Sequence, residues 1–196
     1  MARKKGVKDL PILTLSFGLV FSVVYLAQLL FQASLETDAG YQTAVMIKEA
    51  VGPSVVTVSW LLHSNHTHFL HNLSIFAITG WWVENRVANQ EFVLGVAGLL
   101  GVGANVTAAI LFQVPGAGIS GITTGLVVMI ALGSFEELLY AENLLAKPLL
   151  DFTVSVFFVL WSMGVIGSLP SGTAVAVHVF GGVFGGAWFV NQKIDH

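Results

Sequence analysis

Long apolar stretches recur along this chain, separated by shorter polar or glycine-rich segments. A helix that crosses the hydrocarbon core of a bilayer needs about 20 mainly apolar residues. Six stretches come close to that length: residues 10–31, 66–83, 92–112, 119–135, 149–166 and 172–190. The pattern therefore predicts an all-α, polytopic membrane protein with six transmembrane helices, folded as one domain over residues 1–196.

One connection differs from the others, because residues 32–65 are long and end in an apolar stretch at 51–62 that Pro53 interrupts. Two interpretations of this stretch stay open: it lies in the membrane interface, or it forms a partly embedded loop. The remaining connections are of two kinds: 84–91 and 136–147 carry charge, while 113–118 and 167–171 are short, nearly uncharged and rich in glycine and proline.

Basic residues indicate the orientation of the chain. Four of them, Arg3, Lys4, Lys5 and Lys8, precede the first span, and cytoplasmic flanks of spans are enriched in lysine and arginine. We therefore expect a short cytoplasmic tail of about nine residues, and six spans then bring the C-terminus to the same side. The first apolar run is longer than the roughly 7–15 residues of a signal peptide's apolar region, so we expect it to be retained. The host membrane that we expect is the plasma membrane.

Composition agrees with a membrane environment and excludes several classes of protein. Hydrophobic residues make up 55% of the chain and charged residues 10%, whereas soluble domains carry roughly 25% charged residues. A formal net charge of -3 offers no basic surface for nucleic acid. The absence of cysteine excludes disulfides and thiol catalysis.

The first polar cluster opens the second predicted span. It contains His63, His66, His68, His71 and Asn72, and polar groups in a membrane are candidates for function because they are costly there. His68 and Asn72 are four residues apart, so they share one helix face and can donate hydrogen bonds to the same atom. His63 and His71 could belong to either face. The alternative is that the cluster caps and hydrates a helix that enters from water, which we favour for His66 and His71.

The second cluster leads from a loop into the fourth span and reads Gly118-Ile119-Ser120-Gly121. Glycines beside a serine permit a tight turn and leave its hydroxyl accessible. The N–H groups at the start of a helix favour a negative charge nearby. Small residues around a serine are common in membrane helices, so this motif by itself is a weak indication of a nucleophile.

The third candidate is His178, which lies alone in an apolar part of the sixth span and is followed by Gly181 and Gly185. Small residues four apart allow a helix to approach another backbone closely. A lone buried histidine is more often structural than catalytic. This one lies about one helical turn from the predicted close-approach face, which favours a functional role.

Topology joins the three clusters, because spans two, four and six all run from the outer to the inner face. His68, Ser120 and His178 are each only a few residues past the start of their span. At the rise per residue of an α-helix, they then lie within about 10 Å of the outer face. Ser120 needs a base to become nucleophilic, and His178 can accept its proton. His68, the Asn72 amide and the Ser120 backbone N–H can stabilise the oxyanion that forms on a peptide carbonyl. No acidic residue lies at this depth, so we predict a Ser–His dyad rather than a triad.

These residues resemble the motifs of the rhomboid proteases over essentially the whole chain. The family's His-x-x-x-Asn pattern matches His68 and Asn72, and an earlier histidine matches His63. Its Gly-x-Ser-Gly motif matches the residues around Ser120, and its His-x-x-Gly-x-x-x-Gly pattern matches those that begin at His178. The matching glycines are Gly118, Gly121, Gly125, Gly181 and Gly185, and the end of span two resembles the family at Gly80 and Glu84.

The resemblance implies a rhomboid fold, in which six helices surround a water-filled cavity open to the outer side. It also implies cleavage of transmembrane segments of other proteins, without a metal or an organic cofactor. Substrate would approach sideways near the fifth span, where a gate could be formed by Phe152, Phe157, Phe158 and Trp161. Four positions depart from common family features: Thr124 replaces an aromatic residue, Ser54 and Val55 replace a Trp-Arg pair, and Val128 replaces a small residue.

Two other functions stay open at this point. A non-catalytic rhomboid-like protein would bind membrane clients without cutting them, and Thr124 favours this alternative. A metal-dependent membrane enzyme or a metal transporter could use the four clustered histidines as ligands. No carboxylate or thiolate accompanies those histidines, and the His-Glu-x-x-His motif is absent.

Overall fold

Six long helices account for most of the described chain. The computed structural model describes residues 10–34, 57–63, 65–112, 118–140, 146–162 and 175–194, and these residues contain no strand. The helices are α1 (Ile12–Ser34), α2 (His66–Glu84), α3 (residues 89–112), α4 (Ser120–Leu139), α5 (Ala146–Ser162) and α6 (Val175–Ile194). Within α3, a π-helical segment, Leu94–Gly103, separates two α-helical segments, Asn89–Val93 and Ala104–Phe112. The predicted all-α architecture is confirmed.

Three of these helices are long and apolar enough by themselves to cross a membrane. Within the described residues they are Ile12–Gln32, Asn89–Leu111 and Ser120–Leu139. The helix α5 has 17 described residues, while α2 and α6 carry the polar residues of the predicted site. The structure is therefore compatible with six spans.

The helix α4 extends beyond the predicted bound at residue 135. It continues through Glu136 and Glu137 to Leu139, whereas the hydropathy pattern assigned these glutamates to a connection. A helix satisfies its own backbone hydrogen bonds, and charged side chains near its end can reach the polar interface. Charge therefore marks where the apolar span ends, but not where the helix ends.

The contact between α4 and α6 is made backbone to backbone. A Cβ atom built on Gly181 would lie far inside van der Waals contact with the carbonyl oxygen of Gly121, and one built on Gly185 would meet that of Gly125 in the same way. Only glycine permits this approach. Because the two pairs follow each other in the same order, α4 and α6 run in parallel.

The start of α1 is tied to the end of α2 by a buried carboxylate. Glu84 is 5% exposed and accepts hydrogen bonds from the Leu13 N–H at 3.0 Å, the Thr14 N–H at 2.7 Å and the Thr14 hydroxyl at 2.7 Å. The first N–H groups of a helix have no intrahelical acceptor, and a carboxylate there also meets the positive end of the helix dipole. Glu84 thus supplies an anionic cap, which holds α1 and α2 antiparallel.

An aromatic core joins α1, α2 and α3 and includes part of the long first connection. Phe21, Phe76 and Phe92 are fully buried, with ring centroids of Phe21 and Phe76 5.1 Å apart. Trp60 lies in a short 3₁₀ segment, Ser59–Leu61, and packs edge-on against Phe21 at 6.0 Å. Residues 57–63 therefore pack against α1 through Trp60, while residues 51–56 lie outside the described part of the chain.

We expect Gly185→Ala to destabilise the protein by about 3 kcal/mol, because the added methyl group overlaps the α4 backbone and overpacking costs about 1–3 kcal/mol. The matched control is Gly186→Ala on the same helix. Its Cβ would meet only the Leu132 and Val128 side chains, both at 3.8 Å, so we expect it to be neutral. Unfolding in mixed micelles measures both, and equal stability of the two variants would contradict the close crossing.

Candidate functional site

Gly118, two residues before α4, lies directly against the start of α2. Gly118 has a φ of +90°, a region that glycine adopts without strain. A Cβ atom at this position would lie 3.1 Å from His68 Cε1, 3.2 Å from His63 Cδ2 and 3.3 Å from Asn72 Nδ2. The structure thus brings together three polar residues of α2 and its approach, next to the backbone that leads into Ser120.

Ser120 is the first residue of α4 and is 8% exposed. The first intrahelical bond runs from the Thr123 N–H to the Ile119 carbonyl at 2.9 Å. The N–H groups of Ser120 and the next two residues therefore have no acceptor within the helix, and their dipoles favour negative charge beside the hydroxyl. The Ser120 carbonyl accepts the hydroxyls of Thr123 and Thr124, each at 2.9 Å, which holds the first turn in place.

His178 lies on α6 at the level of this first turn. It is 6% exposed and follows Val177, whose Cγ1 atom is 2.9 Å from the Cβ position of Gly121. One turn later, Gly181 contacts the backbone of Gly121. The glycine crossing therefore sets the depth of His178 relative to Ser120. Within the described residues the Ser120 hydroxyl makes no hydrogen bond, and catalytic hydrogen bonds in substrate-free sites are often long.

Asn72 and His68 face the loop from α2. Asn72 is 4% exposed, and its buried Nδ2 atom has no hydrogen-bond partner in the described part of the chain. The His68 N–H donates to the Asn65 side chain at 2.8 Å, so Asn65 caps α2 and orients this first turn. A buried amide donor without an acceptor is costly. This cost makes Asn72 a candidate for a hydrogen bond to an oxygen atom of a ligand.

His63 anchors the start of α4 and does not belong to α2. It is 1% exposed, and its Nε2 atom accepts the Ile119 N–H at 3.5 Å. Burial, and then the neighbouring His68, lower the pKa of His63 to about 4. The imidazole is therefore neutral at pH 7, and Nδ1 carries the proton while Nε2 accepts.

Two residues that the sequence reasoning missed, Tyr25 and Gln28, hold the histidine segment from α1. The Gln28 amide donates to the His63 carbonyl at 2.5 Å and accepts the His63 N–H at 3.0 Å. Tyr25 stacks on Phe69 with centroids 4.1 Å apart, and its hydroxyl lies 2.9 Å from His66 Nδ1. Both are polar residues in an otherwise apolar span, so the rule that drew attention to His178 would have found them.

The other two clustered histidines, His66 and His71, are exposed and have partners of their own. His66 meets Tyr25, while His71 packs edge-on against Trp161 of α5 with centroids 5.3 Å apart. Among the described residues, no three histidine or acidic side chains are grouped as metal ligands would be.

The four aromatic residues suggested as a gate on α5 have different surroundings. Trp161 contacts α2 through His71, and Phe158 lies 5.8 Å from Trp161. Phe152 packs against Phe135 of α4 at 5.5 Å. Phe157 is 57% exposed.

The positions that depart from common family features are distributed as follows. Thr124 is 1% exposed and supports the first turn of α4. Val128 is half-buried on α4. Ser54 and Val55 lie outside the described residues.

The site combines a serine at a helix start, a histidine across a glycine crossing and a converging set of donors. A family model for the Rhomboid domain matches residues 53–191, more than half of the chain and a range that includes every residue of this set. The chain belongs to the rhomboid family. Rhomboid proteins are typically intramembrane serine proteases that act on membrane proteins within the bilayer. No curated protein and no solved structure matches this rhomboid significantly.

We expect the stability of this rhomboid to fall as the pH is lowered from about 6.5 toward 4. The pKa of His63 is depressed in the folded state to about 4, so over this range the unfolded chain binds more protons than the folded one. His63→Gln cannot titrate and should flatten the pH dependence, measured as melting temperature in detergent. His71→Gln, an exposed control, should leave it steep; equal curves for the two variants would show that His63 is not responsible.

We expect Gln28→Leu to destabilise this rhomboid by about 1–3 kcal/mol, because it leaves the backbone N–H and carbonyl of His63 without partners. Gln32→Leu on the same helix, at an exposed position, is the matched control and should be neutral. Thermal melting measures both variants. A neutral Gln28→Leu would mean that α1 does not hold the histidine segment.

Proposed function

We propose that this rhomboid is an intramembrane serine endopeptidase that cleaves transmembrane segments of membrane proteins through a Ser120–His178 dyad. The observation that carries the proposal is the convergence at Gly118. The side chains of His63, His68 and Asn72 meet Gly118 just before Ser120, and the Asn72 amide is a buried donor without a partner among the described residues. A site that awaits an oxygen atom beside a serine hydroxyl suits acyl transfer.

In the proposed reaction, His178 accepts the proton of the Ser120 hydroxyl as the oxygen attacks a substrate peptide carbonyl. The tetrahedral oxyanion receives hydrogen bonds from the Asn72 amide, His68 and the Ser120 backbone N–H, at the positive end of α4. When the intermediate collapses, His178 donates its proton to the leaving amine and the acyl group stays on Ser120. Water then attacks the acyl group while His178 accepts its proton. His178 returns that proton to Ser120 as the carboxylic acid product leaves.

The neutral His63 serves this chemistry indirectly. Its Nε2 atom accepts the Ile119 N–H, while Gln28 holds its backbone on both sides. The loop before Ser120 is thereby fixed relative to α2, on which two of the oxyanion donors lie. Preorganised donors stabilise a transition state because they need no reorganisation during the reaction.

Substrate approach and membrane orientation belong to the same proposal. We propose that substrate passes between α2 and α5, beside the His71–Trp161 contact. We also propose that the site faces the outer side of the plasma membrane, with both termini in the cytoplasm. The basic residues before α1 support this orientation, as do Arg86 and Lys147 at the end of the bundle opposite Ser120.

A non-catalytic rhomboid that binds membrane clients is the second candidate. One observation favours it: no hydrogen bond joins the Ser120 hydroxyl to any described residue, while Thr124 occupies a position where many relatives have an aromatic residue. In this alternative, the donors of α2 would bind a client helix whose backbone carbonyls are exposed.

Labelling with a fluorophosphonate, which phosphonylates an activated serine hydroxyl, tests the dyad. We expect the wild type to be labelled and Ser120→Ala and His178→Ala to be unlabelled, with thermal melting as the check on folding. Ser134→Ala, a buried serine on the same helix, is the matched control and should be labelled normally. A folded wild type that resists labelling and leaves a transmembrane substrate intact in several lipids would favour the non-catalytic alternative.

We expect Asn72→Ala to lower the cleavage rate by about 10²–10³, since it removes one oxyanion donor. Substrate binding should change little, because the donor acts mainly on charge that develops in the transition state. Single-turnover cleavage in detergent separates the two effects. A loss confined to substrate binding would assign Asn72 to recognition instead of catalysis.

A further inference from the structure

A cavity lies at the end of the bundle opposite Ser120. Its volume is about 490 Å³, and its walls come from the last turns of α2, α4 and α6 and the turn after α2. The helix α4 has 20 residues and is therefore about 30 Å long. That length separates the cavity from the serine site and brings it to the other membrane interface.

Apolar residues line the deep part of this cavity, and charged residues line its mouth. Met129, Val83 and Phe189 line the deeper part, while Glu137 and Tyr140 line the end of α4. The distance from residue 129 to residue 140 corresponds to about 16 Å of helix. Such a gradient from interface to hydrocarbon depth matches a molecule with a polar head and an apolar chain.

A polar donor in the wall has no partner within the described chain. The Nε1 atom of Trp82 is buried and makes no hydrogen bond among the described residues. The indole lies against Gly133, where a Cβ atom would come 2.9 Å from Trp82 Cη2. An indole N–H without an acceptor is costly in a membrane interior. Trp82 is also one of the residues that line the cavity.

The charges at the mouth are of both signs. The Arg86 guanidinium lies 3.3 Å above the centre of the Trp82 ring, and its closest approach to Glu137 is 3.5 Å. Both side chains are nearly half exposed, so this ion pair is weak and open to exchange. Glu136 adds a second carboxylate to the same wall. At the mouth, Arg86 can therefore bind an anionic group, and Glu136 and Glu137 can bind a cationic group beside it.

We propose that this cavity binds a zwitterionic phospholipid with a primary ammonium group, that is, an ethanolamine headgroup. The phosphate would pair with Arg86 and accept from Trp82 Nε1, and the ammonium would donate to Glu136 and Glu137. One acyl chain would lie along the deeper apolar wall. An anionic headgroup would meet two carboxylates, and a choline group carries no N–H to donate to them.

Lipid binding is measured by native mass spectrometry of the full-length protein in detergent, with added phosphatidylethanolamine, phosphatidylcholine or phosphatidylglycerol of identical acyl chains. We expect phosphatidylethanolamine to be retained about tenfold more than the other two. Soluble glycerophosphoethanolamine should compete only weakly, because it lacks the acyl chain. Equal retention of the three lipids, or full competition by the soluble headgroup, would overturn the proposal.

Three substitutions assign the binding to this cavity. Arg86→Gln, Glu137→Gln and Trp82→Phe should each lower the retention of phosphatidylethanolamine severalfold, and Trp82→Phe preserves the aromatic packing if a charge change impairs folding. Lys147→Gln removes an exposed cation of α5 that does not line the cavity, and it should bind as the wild type does. Ser120→Ala should also bind normally, which separates this inference from the proposed protease activity. Unchanged retention in all three cavity variants would refute the assignment.

Discussion

The direct backbone contact between α4 and α6 is the constraint on which the geometry of the site depends. Gly121 meets Gly181 and Gly125 meets Gly185, with no room for a methyl group at either level. Ser120 comes directly before Gly121 in α4, and His178 lies about one helical turn before Gly181 in α6. A crossing wider by one side chain would move the two residues apart, so this backbone contact also sets the relative position of the two candidate catalytic residues.

A second set of interactions fixes α2 and the loop before α4, and it is polar. Gln28 holds the backbone of His63, whose ring accepts the Ile119 N–H, while Asn65 caps the first turn of α2. Polar groups in a bilayer are costly unless they are paired, and most of these groups are paired with one another. Two buried nitrogen atoms of this set, Asn72 Nδ2 and His63 Nδ1, have no hydrogen-bond partner among the described residues, and Asn72 is the one with an amide group next to the backbone at Gly118.

Each end of the bundle contains a buried polar donor without a hydrogen-bond partner among the described residues. At the end that carries Ser120, the Asn72 amide has no hydrogen-bond partner among the described residues, and at the opposite end the same holds for the indole N–H of Trp82, which lies beside charges of both signs. Between them, the aromatic core around Phe21 and Phe76 is closely packed. The catalytic and lipid proposals therefore concern separate sites, connected only by the rigid helices α2, α4 and α6.

The sequence by itself determined the helical class and the order of the helices, and it predicted a shared depth for Ser120, His178 and His68. Apolar length, alternating direction and the cost of polar groups in lipid are sufficient for these conclusions. Only the tertiary structure decided that His63 supports the loop before Ser120, that Gln28 and Tyr25 hold it, and that α4 extends through Glu136 and Glu137. Periodicity reports which residues avoid water, but it carries no information about which polar groups on different helices will pair. That pairing depends on helix crossings, which are settled by contacts between residues far apart in the chain.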